Sequence, residues 1–164
     1  MPDGIRTSLG RDAGMDTVEY KLEVLVLPVA DVDRAKEFYE RIGFRTDLDY
    51  AGGADFRVVH VTPPGSACSI IVGTGVSDAR PGSVQNLHLI VADIEKARAD
   101  LIGRGVEVSE IFHDEDGVFH HAGTGKRVPG FLPGRPSYGA FASFSDPDGN
   151  GFLLQEITER QPGR

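Results

Sequence analysis

Apolar positions along this chain follow two rhythms that take turns. Lys21 to Ala30 (KLEVLVLPVA) is nearly continuous in Leu and Val, the pattern of a buried strand. From Val32 the spacing widens. Val32, Ala35, Phe38, Tyr39 and Ile42 fall on one face of a helix, with Asp31 as its N-cap and Gly43 as its stop. Three shorter strand-like runs come next: Phe44 to Tyr50, Phe56 to Thr62 and Ala67 to Val72. Gly52-Gly53 and Pro63-Pro64-Gly65 divide them as turns. The first half therefore reads β-α-β-β-β.

The same order then recurs. Val84 to Ala92 predicts a strand, Asp93 a second N-cap, Ile94 to Arg104 a helix and Gly105 its end. Val106 to Phe112 predicts the next strand. Tyr138 to Ser145 and Gly151 to Thr158 predict the last two, joined by the turn Asp146-Pro147-Asp148-Gly149-Asn150. The capping aspartates stand 62 residues apart, and at that offset Val29-Ala30-Asp31-Val32 matches Val91-Ala92-Asp93-Ile94. A repeat of this length is one supersecondary unit used twice. It implies two open sheets that must cover each other's faces. Residues 113–137 are rich in Gly and Pro, hold a predicted strand near Val118 to His121, and are long enough to be a lid or binding loop.

Composition narrows the function classes. At 164 residues one domain is expected. The boundaries read as a disordered tail over 1–19, a domain over 20–158 and a short tail over 159–164. Within the domain, module one is 20–73, a linker is 74–83 and module two is 84–158. Lys and Arg number 17 against 25 Asp and Glu, a net charge of −8. An acidic surface argues against nucleic acid and against anionic membranes as partners. No apolar run approaches the roughly 20 residues of a membrane span. The single cysteine, Cys68, excludes an intrachain disulfide and a cysteine-rich zinc site. The expectation is a cytoplasmic protein.

Two stretches carry a family likeness: VLPVADVDRAKEFYERIGF (26–44) and HLIVADIEKARADLIGRGVEV (88–108). Together with the terminal turn SDPDGN (145–150), they make the chain resemble the vicinal-oxygen-chelate superfamily, which includes glyoxalase I, bleomycin-resistance proteins and extradiol dioxygenases. The resemblance implies an α+β fold of two tandem βαβββ modules, curled into a half-open barrel around a cavity. It also implies a divalent metal in many members, and a homodimer. The family's metal positions fall here on Val24, Asn86 and Leu153, with no carboxylate over Ser69 to Ile71 where the acidic ligand would stand. Valine and leucine offer a cation nothing, so glyoxalase I activity itself is disfavoured.

Other polar residues remain near the expected cavity. His88 lies two residues beyond Asn86, and Gln155 two beyond Leu153, so each pair shares a strand face. Glu156 points the other way unless a bulge intervenes. Three readings follow. A displaced divalent-metal site would draw on His88, His121 and Glu156. A metal-free acid/base would be His88 or His121, suited to a lyase, isomerase or dioxygenase-like enzyme. A binding protein without turnover would hold a small organic molecule between Asn86, Gln155, His60, His120, Phe119 and Tyr138. In the long loop, Lys126, Arg127 and Arg135 read as solvated charges, or as holders of a carboxylate or phosphate.

Overall fold

The computed structural model describes residues 16–164, so most of the expected tail, residues 1–15, lies outside the described residues. Residues 16–23 are exposed and carry no regular structure. Module one runs β1 (Val24–Val26), α1 (Val32–Arg41), β2 (Arg45–Ala51), β3 (Arg57–Thr62) and β4 (Ser69–Thr74). Its sheet, sheet A, has the order β1-β4-β3-β2, with β1 parallel to β4 and the other pairs antiparallel. Module two runs β5 (Leu87–Val91), α2 (Ile94–Gly103), β6 (Phe112–Asp114), β7 (Arg127–Pro129), β8 (Phe141–Ser145) and β9 (Gly151–Glu156). Its sheet, sheet B, has the order β5-β9-β8-β6-β7. The order β1-β4-β3-β2 is repeated as β5-β9-β8-β6, and β7 is an addition at the edge.

Both helices begin as the sequence predicts. The Asp31 carboxylate accepts from Arg34 N at 3.1 Å, and the Asp93 carboxylate from Lys96 N at 3.1 Å. Each helix ends before a glycine of positive φ, Gly43 and Gly105. The helix-side faces of the two sheets merge into one apolar core. Val59, Val61, Ile70 and Val72 of sheet A join Phe144, Phe152 and Leu154 of sheet B around Tyr39, Ile94 and Leu101. Tyr39 of α1 packs edge-on to Phe152 of β9, so one core serves both modules.

The turn after β8 ties the modules together. The Tyr39 hydroxyl donates to Asp146 Oδ2 at 2.8 Å, and Asn150 Nδ2 donates to the same carboxylate and to Pro28 O. Asp148 Oδ1 accepts from Ala30 N and from Arg34. Gly82 lies beneath this turn at φ +78°, where an added Cβ would meet Asp148 O at 1.9 Å. Burial, together with the Asp146 and Asp148 charges, pushes the Tyr39 phenol far above its ordinary pKa.

Module two departs from the predicted strands in three places. Val106 to Ile111 makes no continuous ladder, because Ser109 meets Ser143 through both its backbone N–H and its hydroxyl. Regular pairing starts only at Phe112. The predicted strand near 118–121 is absent; the chain turns there, and Arg127–Pro129 pairs with β6 instead. Tyr138 cannot open β8, because its φ is +72°.

Candidate functional site

Strand alternation assigns the face of sheet B opposite the core. Phe112 of β6, Phe141 of β8 and Leu153 of β9 form a second, separate buried apolar cluster there. Phe112 and Phe141 stack at 5.8 Å. On β5, His88 stands beside Leu153 in register and meets the Phe141 ring edge-on at 6.2 Å. His120 arrives from the loop between β6 and β7, residues 115–126, and reaches both, 5.2 Å from His88 and 5.1 Å from Phe141 between ring centroids. His88 Nδ1 donates to Asn86 O at 2.9 Å, and His120 Nδ1 to His121 O at 2.9 Å. A carbonyl only accepts, so each imidazole, when neutral, carries its proton on Nδ1 and leaves Nε2 as an acceptor. Asn86 reaches this geometry at φ +65°, a conformation Asn tolerates better than most residues.

A cavity of about 350 Å³ continues from this cluster, lined by Asn86, Leu153, Ser143 and Arg127 among others. The Arg127 guanidinium lies over Phe112, its Cζ 4.1 Å from the ring centroid, and donates from Nη1 to Ser143 Oγ at 2.9 Å. Its Nε is buried without a partner. Burial alone lowers its pKa from the ordinary arginine value.

The remaining expected residues scatter. Gln155 shares the Phe141 face, and its Nε2 donates to Tyr138 O at 2.9 Å. Tyr138 is half-buried, and its hydroxyl accepts from Gln161 N. Phe119 is 73% exposed. His60 lies on sheet A between Leu48 and Ile71, in the other module. Glu156 is 1% exposed and fully used on the helix side: it takes two hydrogen bonds from Arg135 and one from Ile94 N. Arg135 and the Ile94 amide hold its carboxyl below the usual range against the opposing effect of burial. It is not free to join His88.

Of the residues expected to hold a displaced metal, the structure keeps His121 and gives it Asp114 and Asp116 as partners in place of His88 and Glu156. Asp114, Asp116 and His121 bring their ligand atoms within 4.8 Å of one another, a set that can hold a divalent cation. His121 Nδ1 lies 2.9 Å from Asp114 Oδ2, and Nε2 lies 3.4 Å from Asp116 Oδ2. Asp114 is buried, which opposes ionisation. Hydrogen bonds from the Asp116 amide, the His121 imidazole and the His121 amide outweigh it and bring its pKa to about 2. Asp114 and Asp116 escape sequence reasoning because nothing in the spacing D-x-D-x₄-H marks a ligand set. The family's own metal positions do not fit an ion: Leu153 is packed with Phe112 and Phe141, and Val24 pairs with Ser69 on sheet A with no donor atom to give.

Among the described residues no helix is long and apolar enough to cross a membrane. A comparison with curated proteins finds no match. Solved structures do match. TnmS3, an antibiotic binding protein from Streptomyces sp. CB03234, is 29% identical over 87% of this chain and 99% of its own, with a TM-score of 0.62. A glyoxalase/bleomycin resistance protein from Streptomyces sp. CB03234 is 30% identical over 83% of this chain and 100% of its own, with a TM-score of 0.59. A superfamily member from Sphaerobacter thermophilus DSM 20745 is 27% identical over 84% of this chain and 98% of its own, with a TM-score of 0.60. The family model matches residues 21–154, and with the repeated βαβββ order and the shared core the chain belongs to the Glyoxalase/Bleomycin resistance protein/Dioxygenase superfamily.

Proposed function

We propose that the protein binds a small organic molecule on the open face of sheet B, without turning it over, and that a second copy of the chain closes the site. The observation that carries this is the cavity of about 350 Å³ on the face away from the shared core, lined by Asn86, Arg127, Ser143 and Leu153 beside the buried Phe112–Phe141 cluster. An apolar floor with a few polar groups at its rim is the usual make-up of a small-molecule site. The likeness to an antibiotic binding protein supports a ligand of drug size. The open face of sheet A supports the second copy: Val26, Leu48 and Tyr50 are 40%, 45% and 55% exposed there. Exposed apolar side chains gathered on one sheet face are commonly covered by a partner, and a two-fold dimer laying sheet A over the partner's sheet B makes two equal sites. Thermal-shift screening of antibiotics, followed by calorimetry on His88→Ala, tests the site. Binding that His88→Ala leaves unchanged would refute it.

A second reading is a metal-dependent or histidine-based lyase, isomerase or dioxygenase-like enzyme with a relocated centre. The Asp114–Asp116–His121 grouping favours it. Elemental analysis of untagged protein after exposure to Mn, Fe, Ni and Zn distinguishes the two. Near-stoichiometric metal that is lost in His121→Ala supports the enzyme.

A further inference from the structure

We infer that the Arg127 pocket on sheet B takes the anionic group of a small aromatic ligand, a carboxylate or similarly charged oxygen group, while the rest of the ligand extends toward the exposed His88 and the half-buried His120. The inference rests on the small-molecule reading above and adds the ligand's charge and orientation.

Four observations converge on it. The chain carries a net charge of −8, yet its arginines are not used alike. Arg34, Arg45, Arg57, Arg104 and Arg135 each pair with a carboxylate. Arg127 is set partly under the surface with Ser143 Oγ as its hydrogen-bond partner and a benzene ring beneath it. The acid across the ladder, Asp114, is turned into its own loop and spends its oxygens on Asp116 and His121. The guanidinium is thus half-buried, with its Nε unpartnered and no carboxylate beside it, and a ligand anion would satisfy both.

The cavity beside it has the matching chemistry. Gln85, Asn86, Thr124, Ser143 and Leu153 line it with Arg127, and no Asp or Glu is among its walls. A negative group in that cavity therefore meets donors and no carboxylate among its walls. Its volume, about 350 Å³, fits a small acid or one end of a larger ligand. The Phe112 ring and Ser143 Oγ hold the guanidinium in place before any ligand arrives, so little side-chain entropy is left to lose on binding. A planar guanidinium donates to both oxygens of a carboxylate at once, and such charged bonds are among the strongest polar contacts. The exposed His88 and the half-buried His120, at the edge of the buried rings, then set the direction for the aromatic body.

The test compares 2-naphthoate with its uncharged isostere 2-naphthamide by NMR titration of the full-length protein. The Arg127 Nε–H and the backbone amides of β8 and β9 are followed. Naphthoate is expected to bind at least roughly 10-fold more tightly, to shift the Arg127 Nε–H, and to lose that advantage in Arg127→Met, which keeps a long apolar stem over Phe112. Should Arg127→Met fail to fold, the wild-type preference and the Nε–H shift decide alone. If both compounds bind equally, or the preference survives Arg127→Met, the anion assignment falls and the site stands. If neither moves the β8 and β9 amides, the small-molecule reading falls and takes this inference with it.

Discussion

His88 and Glu156 lie three residues apart in register across β5 and β9, yet they do opposite work. His88 is exposed, keeps its Nδ1 proton on a backbone carbonyl, and meets only rings. Removing its imidazole leaves no buried polar group behind. His88→Ala should therefore weaken ligand binding roughly 10-fold and leave the melting temperature within about 2 °C, by calorimetry on both quantities. Glu156 is the reverse case. It satisfies the first amide of α2 and neutralises Arg135, from a buried position at the end of β9. Glu156→Ala should cost roughly 2–4 kcal/mol in urea unfolding, less than a fully buried pair because Arg135 is 41% exposed. Ligand affinity of the folded fraction should not change. A loss of affinity without a loss of stability would return Glu156 to the site.

At the scale of the element, the loop between β6 and β7 is organised by one carboxylate. Asp114 closes a turn on Asp116 and holds His121. Its folded pKa, about 2, lies below the roughly 3.9 of an unfolded Asp. The folded state therefore binds fewer protons between these values, and stability falls as pH drops through them. The stabilisation is complete above about pH 4 and gone below about pH 2. Melting temperatures measured from pH 5 to pH 2 should decline, and Asp114→Asn should flatten the part of the decline that Asp114 owns. The same loop marks where the sequence stopped being readable. Periodicity and paired capping aspartates were enough for α1, α2 and β2 to β5, but β1 is only Val24–Val26 of the run Lys21 to Ala30, and face alternation does not reach Asn86, which precedes β5 at φ +65° and meets His88 through its backbone carbonyl. Strand β7 has three residues, too few for any periodic signal, and its pairing with β6 is what draws Arg127 off the surface. A solvated loop charge and a half-buried cation look alike until that pairing is known. His120 and His121 are adjacent, and the sequence reads the first as a ligand contact and the second as an acid/base or metal ligand. The turn geometry selects His120 for the ring cluster and gives His121 to Asp114.

Across the whole molecule, the decisive fact is that the helix-side faces share a core and the other two faces do not meet within the chain's apolar clusters. An aspartate or glutamate on the open face of sheet A should then block self-association and spare the fold. Tyr50→Glu is expected to sediment as a monomer with an unchanged far-ultraviolet spectrum, if the wild type sediments as a dimer. The terminal turn has a different reach. Asp146, Asp148 and Asn150 belong to module two by sequence but spend their bonds on Tyr39, Pro28, Ala30 and Arg34 of module one. Neither half keeps its polar groups satisfied alone. Cut between residues 74 and 83, the chain should give two fragments that are unstructured apart and regain ordered structure on mixing. The two copies of the motif are thus one folding unit written twice, and no longer two units that happen to be joined.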